Sequence, residues 1–219
     1  MCVTAERIVG GSAADGAQTL NERRLPGCYD EGMLKTAACA LMLGFATATY
    51  GGAPVVVDNE HVKVRDTAVP LPPSPHDFIV VSLSRKGTAE FGRQGDIPGK
   101  SGSRTIVIEL KDLPVGPLAN QTGYPLAFPR PHAKKLLENG KVNVWDYVWH
   151  AGESTPMHFH DKDAVVVFEA TGAIKATTPD GKSAVSEIKF GDVRFNLRGR
   201  THTEILAHGE ARAVITELK

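Results

Sequence analysis

The stretch Gly152-Glu153-Ser154-Thr155-Pro156-Met157-His158-Phe159-His160 sets two histidines two residues apart behind a turn-prone glycine and proline. Residues two apart on a β-strand share a face, so both imidazoles can enter one interior and reach one ion at about 2.0–2.1 Å, the usual Zn–N distance. Further on, Gly191-Asp192-Val193-Arg194-Phe195-Asn196-Leu197-Arg198-Gly199-Arg200-Thr201-His202 frames a strand and a turn between two glycines and delivers a third histidine. A lone histidine is more often a hydrogen-bonded core or surface residue. Three at this spacing, with the glycines, point to a metal centre at His158, His160 and His202.

Outward from these motifs the chain reads as all-β. From residue 54 onward short runs of Val, Ile, Phe and Trp are broken by Gly, Pro and Asp, the pattern of a sandwich or barrel. One helix is expected, Pro131 to Glu138, with Pro131 in its first turn, Leu136 and Leu137 for packing, and Asn139-Gly140 as its stop. Two halves resemble each other in order. Asn59, Val62, Val64 and Asp66 match Asn139, Val142, Val144 and Asp146. Asp77 to Val81 matches Asp163 to Val167, and Ile106 to Lys111 matches Val214 to Lys219. Residues 54–112 then form a degenerate barrel, 113–140 a linker with the short helix, and 141–219 the metal-binding barrel. Opposite His158 and His160 the first half has Pro72 and Ser74, so His76 stands alone there. It reads as a surface or hydrogen-bonding residue, as do His61, His132, His150 and His208.

The two motifs resemble those of the cupin superfamily over roughly residues 140–219. The first cupin motif, G-x5-H-x-H-x3,4-E-x6-G, is met at Gly152, His158, His160 and Gly172, and the second, G-x5-P-x-G-x2-H-x3-N, at Gly191, Gly199 and His202. The resemblance implies a double-stranded β-helix, a jelly-roll-like barrel, here as two tandem barrels with the first degenerate. It also implies a divalent ion such as Fe, Mn, Zn or Ni. Three family positions differ: the Glu falls at Ala164 or Val165, the Pro at Leu197 and the Asn at Leu206. Without the Glu, three neutral imidazoles leave the ion's charge uncompensated and its positions open to an anion or an acidified water. Asp163 or Glu204 could supply an oxygen instead. Glu204 lies two residues after His202 and could share its face, whereas Asp163 reaches only if the strand bulges. The string from His158 to Val167 is also similar to small single-domain cupins, some called β-alanine degradation proteins.

Around the motifs, Trp145, Tyr147 and Trp149 alternate on one strand face, which suits core packing or the mouth of a pocket. Arg194, Arg198 and Arg200 cluster near the third ligand and could hold a carboxylate in bidentate fashion. The concrete expectation is a metal-dependent oxygenase acting on a small organic acid, with an arginine, Arg194 foremost, orienting the substrate and Glu204 or Tyr147 moving protons. Hydrolase or isomerase chemistry fits the same ligands. The alternative is a non-catalytic ligand- or metal-binding protein of the cell envelope. With 25 basic and 25 acidic side chains, the chain has no basic field for nucleic acid, and small molecules are the expected partners. A homodimer is compatible with this reading. There is no phosphate-binding glycine loop and no G-x-S-x-G elbow.

The apolar run after Met33-Leu34-Lys35-Thr36, closing on Ala46-Thr47-Ala48, reads as a signal peptide over residues 33–48, and it is too short to span a membrane. Residues 1–32 then precede the true start. The expected mature protein is periplasmic or secreted, crosses no membrane, and lacks Cys2, Cys28 and Cys39, so its ligands must be histidines and carboxylates.

Overall fold

The computed structural model describes residues 52–219; the expected signal peptide, the segment before it and the three cysteines lie outside the described residues. Every regular element among the described residues is a β-strand. No helix there is long and apolar enough to cross a membrane.

Three sheets form. The first joins β1 (Val55–Asp58), β2 (Val62–Thr67), β3 (Phe78–Ser82), β4 (Thr88–Gly92) and β5 (Thr105–Leu110) in the order β1-β2-β5-β3-β4. The second joins β6 (Ala133–Glu138), β7 (Val142–Trp149), β9 (Ala164–Phe168), β12 (Val193–Asn196) and β14 (Ala211–Leu218) in the order β12-β9-β14-β7-β6. The third is β11-β10-β13-β8, from β8 (His158–Phe159), β10 (Gly172–Thr177), β11 (Ser183–Ile188) and β13 (Thr201–Gly209). All strand pairs are antiparallel.

The second sheet is the middle layer, and strand alternation explains how it serves two cores. On β7, Trp145, Tyr147 and Trp149 turn inward with Ala164, Val166 and Phe168 of β9 and Ile215 of β14, meeting Ile174 and Ile188 of the third sheet. Val142, Val144, Val165, Val167 and Val214 turn the other way and pack on Val62, Val64, Ile79, Val81, Ile106 and Ile108 of the first sheet. The run Ala164–Phe168 is therefore apolar throughout because both its faces are buried.

The similarity between the halves is realised as one sheet plan built twice. Strands β2, β3 and β5 carry the segments matched to β7, β9 and β14, and the strand order is the same in both sheets. The turns repeat as well. Asn59 Oδ1 accepts from the Val62 amide at 2.9 Å, and Asn139 Oδ1 from the Val142 amide at 3.0 Å. Lys111 Nζ donates to the Asn59 carbonyl, as Lys219 Nζ does to the Asn139 carbonyl.

Two expectations need correction. Residues 54–112 do not close a barrel: between β3 and β5 they contain only β4, whereas β10 to β13 lie between β9 and β14. Without an opposing sheet, Phe78, Val80 and Val107 on the free face are covered by Leu71 of the preceding loop. The expected helix is instead the edge strand β6, paired with β7 from Ala133↔Tyr147 to Glu138↔Asn143. A helix of about two turns is marginal in water. Pairing along the exposed edge of β7 overrides it, and Asn139-Gly140 becomes the hairpin turn.

Candidate metal centre

Strand register assembles the centre. β8 pairs antiparallel with β13, placing His202 opposite His158, while His160 follows two residues on from His158. The three imidazoles form a near-equilateral cluster, with ring centroids 4.9–5.0 Å apart. One ring nitrogen from each lies within 4.8 Å of the others. His158 and His202 are buried at 2% and 6% exposure. Gly199, at φ +86°, makes the turn into β13 that delivers His202, whereas Gly172, where a Cβ would sit 2.5 Å from the His208 carbonyl, lets β10 meet the far end of β13.

This donor set fits a divalent ion. His158 Nδ1 donates to the Pro156 carbonyl at 2.8 Å, which fixes the tautomer and leaves the lone pair on Nε2. His160 Nε2 and His202 Nε2 are 3.2 Å apart. Two nitrogens on one ion at about 2.1 Å stand about 3.0 Å apart at a right angle and about 3.4 Å apart at the tetrahedral angle. The observed spacing falls between these. Burial, with the nearby Arg130 guanidinium, lowers the His158 pKa from 6.5 to about 4. Burial, with Arg200, lowers His160 to about 2. Both rings are neutral at pH 7, the form that binds metal.

These shifts predict acid lability of the metal-free protein. In the unfolded chain both histidines titrate near 6.5, so below that pH the unfolded state binds more protons and stability falls with pH. Through His158 alone, roughly 3 kcal/mol should be lost between pH 6.5 and about 4, with His160 extending the loss to lower pH. Urea unfolding of chelated protein at about pH 7.5 and about pH 4.5 measures it. Equal stability at both pH values would contradict neutral, buried imidazoles.

Of the two carboxylates considered as replacements for the family Glu, the structure brings one to the centre. Glu204 Oε1 lies 3.4 Å from His202 Nε2, and its Oε2 accepts from Trp149 Nε1 at 3.1 Å. Burial alone would raise the Glu204 carboxyl, but the His202 hydrogen bond and the Arg130 charge hold it well below the ordinary carboxylate range. Asp163 is not brought there. It precedes Val165 and Val167 on the face turned from the interior, and its Oδ1 instead accepts from the Arg198 amide at 2.7 Å. Its contact orders the turn before β13.

A cavity of about 130 Å³ opens beside the imidazoles, lined by Arg194, Arg200, Glu204, His160 and His202 over an apolar floor that includes Val166 and Phe168. Arg194 lies over the Phe168 ring, 5.0 Å from its centroid. Arg198 points away and bonds the Gly116 carbonyl. Tyr147 faces inward but lines a separate outer pocket of about 340 Å³ with Trp149 and His132. Burial raises its phenol pKa, so it stays protonated at pH 7.

Sequence reasoning missed Arg130, which lies in the segment read as linker. Its side chain is 6% exposed; Nη1 lies 2.9 Å from His158 Nε2 and Nη2 lies 3.3 Å from Glu204 Oε2. Its guanidinium sits 3.9 Å from the Tyr147 ring centroid and 4.8 Å from that of Phe128. Nothing in the string Phe128-Pro129-Arg130-Pro131 announces this placement.

A jelly-roll barrel with three convergent imidazoles at one end of its interior defines a barrel of the metal-centre type. The chain is 30% identical to a cupin domain from Bordetella pertussis Tohama I, over 42% of this chain and 99% of that one, with a TM-score of 0.38. With both motifs in place, that identity over a whole domain shows that the chain belongs to the cupin superfamily. A cupin 2 conserved barrel domain protein from Leptotrichia buccalis is 13% identical over 77% of this chain and 88% of its own, with a TM-score of 0.41. A polyketide cyclase from Streptomyces resistomycificus is 20% identical over 46% of this chain and 77% of its own, with a TM-score of 0.34. No family model and no curated protein sequence matches the chain.

Proposed function

We propose that this is an exported metal-binding cupin protein that acts on a small organic acid, with oxygenase chemistry as its specific reaction. The observation that carries the reading is the buried three-imidazole cluster beside a cavity holding three guanidiniums against one carboxylate. A divalent ion would supply Lewis acidity there and, as iron(II), the capacity to activate O₂ beside a bound substrate. His158, His160 and His202 hold the ion, and Arg194 orients the acid from the cavity wall. Glu204 or Tyr147 moves protons, Glu204 as the carboxylate inside the cavity and Tyr147 as the protonated phenol of the outer pocket. Export rests on the apolar segment 33–48.

A second reading, a non-catalytic ligand- or metal-binding protein of the cell envelope, is favoured by one contact. The Arg130 guanidinium satisfies the His158 lone pair without any ion. Oxygen consumption by iron(II)-loaded protein, challenged with small mono- and dicarboxylates, separates the two. The oxygenase reading expects acid-dependent consumption that His158→Ala abolishes. Bound metal with no acid turned over would overturn it in favour of the binding role.

A further inference from the structure

The residue missed in the sequence holds the position that a ligand needs. His158 has one free lone pair, on Nε2, because its Nδ1 is engaged by Pro156, and Arg130 Nη1 is directed at that lone pair. An ion and a guanidinium cannot share it. Arg130 is one of the residues lining both the inner cavity and the outer pocket, and Trp149 is another, so the guanidinium stands between the two spaces. Its Nε is buried and has no hydrogen-bond partner. A buried guanidinium with an unspent donor is costly unless something completes it. The stack on Tyr147 and Phe128 holds the plane of the group, within which its Nη edge, now on His158 and Glu204, can exchange partners.

We propose that Arg130 is the anion-binding residue of this centre: metal uptake displaces its guanidinium from His158, and the freed N–H edge receives the carboxylate of a small monoanion held beside the ion. The inference rests on the metal reading above and goes beyond it by assigning the carboxylate's direct partner beside the ion to Arg130, with Arg194 orienting the rest of the acid from the cavity wall. A planar fork matches a carboxylate in a way that a point charge does not. The charge balance agrees, since Arg130, Arg194 and Arg200 face only Glu204 in the cavity, and an added ion increases the positive excess. Metal and anion then bind cooperatively, and linkage requires each to raise the affinity of the other by the same factor.

Calorimetric titration of Zn²⁺, with and without saturating propionate as the probe anion, tests this on the full chain, on Arg130→Met and on Arg130→Lys. Wild-type protein should bind propionate at least about tenfold more tightly when zinc is present. Arg130→Met should bind zinc as tightly as wild type or more so, having lost the competitor for His158, and should lose the coupling to propionate. Arg130→Lys keeps the positive charge beside Glu204 and guards against misfolding of the Met variant; it too should lose most of the coupling, because an ammonium lacks the fork. Propionate coupling unchanged in Arg130→Lys, or weakened zinc binding in a folded Arg130→Met, would overturn the assignment while leaving the metal centre intact. Failure of wild-type protein to bind zinc would instead overturn the metal reading on which it rests.

Discussion

Replacing His202 with alanine is expected to leave a folded barrel whose affinity for a divalent ion is lower by well over about 100-fold, since even losing an outer-shell partner costs 10- to 100-fold. The size of the effect follows from geometry. His202 is fixed by the β8–β13 pairing opposite His158, and its Nε2 is 3.2 Å from that of His160, so its loss opens one corner of the donor triangle. Folding should survive, because the substitution trims one side chain of a paired strand and leaves the β8–β13 backbone register intact. Competition with a chromophoric chelator gives the affinity, and circular dichroism gives the fold. Undiminished metal affinity would mean that the ion is held elsewhere.

The second large effect is expected far from the metal, at Ile108. This side chain has no exposure, pairs in register with Val64 on β2 and Ile79 on β3, and belongs to the core where the first sheet meets the barrel's middle sheet. Ile108→Ala removes buried methyl groups and leaves a cavity between two pleated surfaces that cannot easily close. It should cost about 2–5 kcal/mol, read as a lower urea midpoint with an unchanged slope. Zinc affinity should not change, since the histidines lie on the opposite face of the middle sheet. A loss below about 1 kcal/mol would mean that the first sheet contributes little to the folded unit.

This interface also shows how much of the fold was legible in the sequence. The matched positions Val62/Val142, Val64/Val144 and Ile79/Val165 were visible as a repeat, and they are the residues by which two sheets of one plan face each other. That the first half stops at one sheet was not visible, because apolar strands read alike whether or not an opposing sheet exists to close a barrel over them. The helix read at Pro131–Glu138 failed for a related reason. Its proline, leucines and Asn-Gly satisfy local helix signals, but the free edge of β7 lies beyond local sequence.

The site was legible where chemistry follows register. Two-residue spacing placed His158 and His160 together, and the same spacing from His202 brought Glu204 beside them. It also accounts for Asp163, which shares the parity of Val165 and so turns away from the barrel interior while staying buried. Arg130 was illegible because its position depends on a loop path and on an aromatic stack assembled from Phe128 of that loop and Tyr147 of β7, which no local periodicity announces.

The most direct test of the central claim is the metal content of the full chain purified without chelating resins, combined with X-ray absorption of the bound ion. One divalent ion per chain, with three imidazole nitrogens at about 2.0–2.1 Å and loss of that signal in His158→Ala, is the predicted result. A chain that takes up no stoichiometric ion, or one whose ion shows no imidazole scattering, would contradict a metal centre at His158, His160 and His202.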